Sequence, residues 1–177
     1  MLRNILLFAV IIIAASSCSP KLSPFSQRMY DDFGWSEEEL KSIQFYLSDD
    51  IVLIRDKGVD ESRINDGKIR VEDSRRVERI VFKKGTPGVL LFTPKDNRFA
   101  ISFDETEGHL VFGPSQKHGG RYTLRAKDWD RRSGRVTYNG ASYSTSSSSA
   151  YAALMVDIKK ARKTEFKSKN IKGRKVD

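Results

Sequence analysis

Short apolar runs, each closed by turn residues, are the feature that most limits what this chain can fold into. Ile51-Val52-Leu53-Ile54 follows Ser48-Asp49-Asp50. Asn65-Asp66-Gly67 stands between Arg63-Ile64 and Lys68 to Val71, a hairpin signal because glycine at the turn supplies the positive φ. Val77, Ile80, Val81 and Phe82 form another run, ended by Gly85-Thr86-Pro87-Gly88, and Val89 to Thr93 is ended by Pro94 to Asn97. Phe99, Ile101 and Phe103 then alternate with Arg98, Ala100, Ser102 and Asp104. Leu110 to Phe112 is a further run. Tyr122, Leu124 and Ala126 alternate with Arg121, Thr123, Arg125 and Lys127, and Val136 and Tyr138 with Arg135 and Thr137. Asn139-Gly140 is a type I′ turn signal leading into Ala141 to Thr145. Ala152, Leu154, Val156 and Ile158 alternate with Tyr151, Ala153, Met155 and Asp157. Period two puts one face in and one face out. About nine or ten short strands, with turn residues about every 8–13 positions, predict a mainly β fold: a single antiparallel β-sandwich or small barrel. No βαβ alternation points to a parallel sheet.

The first eighteen residues follow a different grammar. Arg3 supplies a positive start, Ile5 to Ala15 an uncharged apolar run, and Ala14, Ala15, Ser16 and Ser17 a small-residue exit before Cys18. That order is a secretory signal, and the run is shorter than the about 20 residues a spanning helix needs. Ala15-Ser16-Ser17-Cys18 resembles the lipobox of bacterial lipoproteins, with Ala15 where the strict pattern prefers Leu. The resemblance covers the signal region alone. It implies that the Cys18 thiol receives a diacylglyceryl group, that cleavage makes Cys18 the first residue, and that its amine is acylated too. It also implies, from Ser19 in place of an aspartate, sorting to the outer membrane, and, from the acid-free run Ser19-Pro20-Lys21-Leu22-Ser23, the periplasmic face. Cys18 is the only cysteine, so no intrachain disulfide is available.

The expected organisation is a signal peptide at 1–17, a lipidated tether at 18–29, a β-rich domain at 30–158 and a basic tail at 159–177. Two prolines and three serines in 19–26 mark the tether. Ser36 followed by Glu39 is a capping-box pattern, and Leu40, Ile43 and Leu47 repeat at helical spacing, so one α-helix is expected at about 37–47. Tyr30, Phe33, Trp35, Phe45 and Tyr46 are read as core. The net charge of +9 is uneven: 159–177 holds nine Lys or Arg against Glu165 and Asp177, a net +7. With Arg3 removed, the body from Cys18 to Ile158 carries +1. Such a tail suits lipid headgroups, an anionic glycan or an acidic protein patch, or it is a solvated end, and secretion argues against nucleic acid.

No catalytic apparatus is legible. His109 and His118 have no ligand partner at short spacing, so no metal is expected, and no Gly-x-Ser-x-Gly elbow or phosphate loop occurs. Adjacent acids, among them Asp104/Glu105/Glu107 and Asp128/Asp130, read as turn residues rather than a glycosidase pair. Asp128-Trp129-Asp130-Arg131-Arg132 reads as a charged turn with its Trp folded onto the sheet, or as a sugar or anion site. Tyr138 is expected inward. Trp129, Arg131, Tyr143 and Tyr151 are the candidate binding residues, with no cofactor implied. The expected function is a membrane-anchored binding or assembly module serving an envelope complex. The alternatives are an envelope hydrolase built on scattered carboxylates, or a structural tether gripping anionic lipid or glycan through the basic tail. Mass spectrometry of the N-terminal fragment from a gram-negative host should show a chain starting at Cys18 with two or three acyl groups. Cys18→Ala should abolish both modification and processing; an unmodified start elsewhere contradicts the lipobox reading.

Overall fold

The structure, a computed structural model, describes residues 21–59, 64–65, 68–69, 75–95, 97–106, 108–130 and 132–163. In chain order these hold β1 (Leu22–Pro24), α1 (Gln27–Phe33), α2 (Glu37–Lys41), β2 (Phe45–Leu47), β3 (Ile51–Val59), β4 (Ile64–Asn65), β5 (Lys68–Ile69), β6 (Arg75–Phe82) and β7 (Pro87–Lys95). They continue through β8 (Arg98–Ser102), β9 (Leu110–Ser115), β10 (Arg121–Leu124), β11 (Ser133–Tyr138), β12 (Ala141–Ser146), β13 (Leu154–Asp157) and α3 (Ile158–Lys163). A seven-stranded sheet has the order β1-β13-β2-β7-β8-β9-β10, and a four-stranded sheet the order β11-β12-β3-β6. Both are antiparallel. The fold is mainly β, consistent with a β-sandwich. The hairpin read at Asn65-Asp66-Gly67 pairs as β4 and β5, with Asp66 and Gly67 outside the described residues.

The ends of the large sheet approach each other without closing a barrel. Thr123 of β10 forms an isolated bridge with Ala153, just ahead of β13, and Arg121 forms one with Ser26, just after β1. The Tyr122 N–H donates to the Phe25 carbonyl at 3.0 Å, and the Leu124 N–H to Ala152 at 3.2 Å. These are single contacts rather than a continuous ladder.

Two expectations need correction. The helix stops at Lys41 rather than near 47. Its start is as read: Ser36 and Glu39 exchange both bonds of the capping box. The Ser42 hydroxyl then bonds back to the Glu39 carbonyl at 2.8 Å, competing with the backbone as mid-helix serines do. Phe45 and Leu47 are buried by strand alternation, paired with Val156 and Leu154, so Leu47 matched the helical period by coincidence. The second correction concerns residues 22–29, expected in the tether. Leu22–Pro24 is a strand, with its proline on the sheet's end strand where a missing N–H is tolerated. Ser26 caps α1 by accepting from the Met29 N–H.

Phe25, between them, is 0% exposed. Its ring meets Trp35, Phe45, Phe99 and Tyr122 at centroid distances of 5.9, 5.5, 5.4 and 5.0 Å. Tyr138 and Tyr143 carry the core into the second sheet, Tyr138 inward as the alternation requires. Alternation fails at β8, where Ala100 and Ser102 are buried along with Phe99 and Ile101. The loop after β8 folds back there, and the Ser102 hydroxyl donates to the carbonyls of Asp104 and Thr106. Phe25→Ala should destabilise the fold by about 3–5 kcal/mol through lost transfer energy and the cavity left behind. Urea unfolding should show the midpoint falling with the slope unchanged.

Candidate functional site

A cleft of about 680 Å³ opens between the two sheets. The large sheet contributes Arg98 from the start of β8 and Val111 from β9, with His109 just ahead of it. The chain leaving β10 contributes Arg125, Ala126 and Lys127. The small sheet contributes Arg135 to Thr137 from β11 and the Asn139-Gly140 turn. Four of these side chains are cations, and none of the lining residues is a carboxylate.

Local structure explains how the cations reach one place. Past β10, the Arg125 N–H bonds to the Val111 carbonyl at 2.8 Å, which keeps the chain beside β9. Gly113 is buried in β9, and a Cβ built on it would lie 3.4 Å from Cγ and Cδ of Arg125, so the Arg125 stem runs across bare backbone. Two residues on, Lys127 and Arg135 exchange both backbone hydrogen bonds at 2.8 Å. Residues bonded in this way stand directly opposite with side chains on one face. Two like charges are therefore held side by side, an arrangement that costs stability. Among the described residues, the ion pair to a lining cation is Asp128 with Arg135, at 3.9 Å and well exposed, which contributes little.

The loop from Asp128 to Gly134 is the charged turn the sequence indicates. Asp128 has φ 51°. The Asp130 carboxylate accepts the N–H groups of Arg132 at 2.7 Å and Ser133 at 2.6 Å, and the Ser133 hydroxyl at 3.1 Å, which hold it below the usual carboxylate range. Trp129 is folded against the sheet. A Cβ on Gly134 would come within 2.6 Å of its ring and 2.9 Å of the Ala126 Cβ, so the glycine makes the space the indole occupies. The opposite wall is fixed as firmly. Asn139 and Gly140 have φ 47° and 72°, the type I′ turn read from sequence. Tyr138 donates its hydroxyl to Asp104, which also accepts from the Thr106 hydroxyl at 2.6 Å. Burial, with the Asp104 hydrogen bond adding to it, pushes Tyr138 up to about 12. Burial raises the Asp104 carboxyl, but the bonds from Thr106 and Tyr138 outweigh it and hold that group low.

Of the candidate residues read from sequence, Trp129 is 38% exposed and packs over Gly134, outside the residues that line the cleft. Tyr143 was expected at the surface and is instead 5% exposed, because it alternates inward from β12 and packs on Tyr138. Tyr151 is 61% exposed but lies away from the cleft, edge-on to His118, whose Nδ1 is 2.8 Å from the Ser115 hydroxyl. Arg131 and Cys18 lie outside the described residues. Among the described residues no three His, Cys, Asp or Glu side chains gather as a metal site would require. Sequence reasoning missed Arg98, Arg125, Lys127 and Arg135 as a group, since they come from separate segments of a near-neutral body. Their signal is that each occupies an outward position beside an inward apolar one.

Lys127→Thr should raise stability at low ionic strength by about 0.2–1 kcal/mol, because it relieves the opposed charges across the bridge. Thermal unfolding at low and high salt tests this, and the gain should shrink as salt screens the pair. No protein-family model, curated protein or solved structure matches the chain.

Proposed function

We propose that this protein is a membrane-anchored envelope lipoprotein that binds an anionic ligand, a glycan bearing carboxylate or phosphate groups, in the cleft between its sheets. The observation that carries the reading is the opposition of Lys127 and Arg135 beside Arg98 and Arg125. Placing these like charges together opposes folding, and an anion bound among them would relieve that repulsion. Guanidinium groups present fixed forks of donors that match carboxylate and phosphate oxygens. Trp129, whose ring lies over Gly134 next to the lining Arg135, exposes an apolar face of the kind that packs on a sugar ring. Binding rather than bond cleavage suits a lining of cations, small polar groups and apolar side chains, since glycoside hydrolysis needs two carboxylates facing across the substrate.

The anchor supports the same reading. The lipobox-like Ala15-Ser16-Ser17-Cys18 places a lipid attachment ahead of the fold. Two or more acyl chains, at about 0.8 kcal/mol per buried CH₂, hold a protein stably on a bilayer. Ser19 favours the outer membrane, and the acid-free run from Ser19 to Ser23 favours its periplasmic face. Among the described residues no helix is long and apolar enough to cross a membrane.

Calorimetric titration of the mature chain with oligogalacturonate, a phosphorylated mannan and neutral dextran tests the proposal. The two acidic glycans should bind and dextran should not. Arg125→Ala and Arg135→Ala should each weaken binding about tenfold while the melting temperature holds, because a hydrogen bond to a charged group contributes about 1.5–3 kcal/mol. Equal binding of dextran, or binding that survives the double variant, overturns the reading.

A further inference from the structure

Strand β7 breaks its own alternation at one point. Val89 pairs with Ser102 and Leu90 with Ile101, but the next partner, Ala100, is met by Phe92 and not by Leu91. One extra residue in β7 makes this a β-bulge. Had the pairing run on unbroken, Leu91 would stand opposite Ala100, and Phe92 would point with Leu90 into the core. Leu90 is 3% exposed, whereas Phe92 is 40% exposed. The bulge turns a large aromatic ring out of the core and onto the opposite face of the sheet, at a cost in apolar burial. Bulges recur next to functional sites, where they re-aim a side chain in this way.

That face is the one the cleft uses. Phe92, Ala100 and Val111 stand in register across β7, β8 and β9, and residues directly opposite on paired strands share a face. Val111 lines the cleft. Phe92 is outside the lining residues, but His109, which is one of them, meets its ring edge to face at a centroid distance of 5.1 Å. Neighbouring strands lie about 4.8 Å apart, so Phe92 on β7 is about 10 Å from Val111 on β9. The chain past β10 runs beside β9, where the Arg125 N–H bonds to the Val111 carbonyl, and the bridge from Lys127 to Arg135 lies beyond it. An acid group held by that opposed pair therefore leaves Phe92 free for another ring of the same chain.

We propose that Phe92 is a platform on which a neutral sugar ring packs, so that the cleft takes an acidic oligosaccharide and not a single acidic sugar. The acid group lies among the cations, and a neutral ring of the same chain lies on Phe92. The C–H bonds on one face of a sugar ring carry slight positive charge, which matches the negative face of an aromatic ring. His109 already packs on Phe92, so the platform gives up little freedom when a ring arrives. The inference rests on the cleft reading, and adds to it the length of the ligand and the neutral part it carries.

Calorimetric titration of the mature chain compares glucuronic acid with an aldotriouronic acid, in which one glucuronate is joined to two neutral sugars. The two ligands differ in rings and not in charge. The trisaccharide should bind about tenfold more tightly. Phe92→Ala should remove that gain and leave the binding of glucuronic acid as it was, with the melting temperature unchanged. Phe92→Trp should keep the gain, and Phe92→Leu, which has apolar bulk without a flat ring, should lose it. Arg125→Ala with Arg135→Ala should weaken both ligands alike. Equal affinity of the unaltered protein for the two ligands overturns the proposal, and so does a gain that survives Phe92→Ala or Phe92→Leu. Loss of both ligands together in Phe92→Ala makes the ring part of the anion site and overturns it as well. In each of these cases the acid still binds the unaltered protein, so the cleft reading stands. Failure of both ligands to bind the unaltered protein overturns the cleft reading and this inference with it.

Discussion

The burial of Phe25 is the constraint on which the rest of the structure depends. Its ring is enclosed by four others, and its backbone joins two strands that no ladder connects: the N–H donates to Leu154 at 2.8 Å, and the carbonyl accepts from Tyr122 at 3.0 Å. The buried backbone of β10 thereby finds partners on its open side, as a group removed from water must. The large sheet is drawn round until its ends nearly meet. That curl carries the chain beyond Leu124 to Val111 and then to Arg135, where the cleft forms.

Stability and charge oppose each other in the cleft. A core tolerates volume-conserving exchange, but a bridge that fixes Lys127 opposite Arg135 holds a repulsion that neighbouring backbone hydrogen bonds must outweigh. The walls are arranged to hold the position. Trp129 fills the space over Gly134, and Tyr138 is tied to Asp104, which braces the two ends of β11. On the proposed reading, a site preorganised in this way would lose little on accepting an anion. The near-neutral total of the body conceals it because acids gather elsewhere, at Asp31 and Asp32 of α1 and Glu37 to Glu39 of α2.

The pairing of β1 with β13 sets Leu22 directly opposite Asp157, so the first and last strands of the described fold are neighbours. Packed structure begins soon after Cys18 in the sequence, with β1 and then Phe25, so the segment expected as a tether is short.

Much of this was legible in the residues. Turn chemistry at Asn139-Gly140, the capping box at Ser36 and Glu39, and the alternation through β11 and β13 all belong to local physics, where the answer depends on neighbours a few positions away. In β10 the alternation fails at Thr123, which is buried between Tyr122 and Leu124 where the sheet ends approach each other. The mainly β architecture and the uneven charge follow from the sequence by itself on the same grounds. Only the tertiary structure decided that Phe25 belongs to the core and not to a tether, that Phe45 to Leu47 is strand, and that Tyr143 is inside. It alone brought Arg98, Arg125, Lys127 and Arg135 together. Each of those outcomes depends on which distant segment arrives as a neighbour, and a chain's periodicity records which way a side chain points without recording what it will meet.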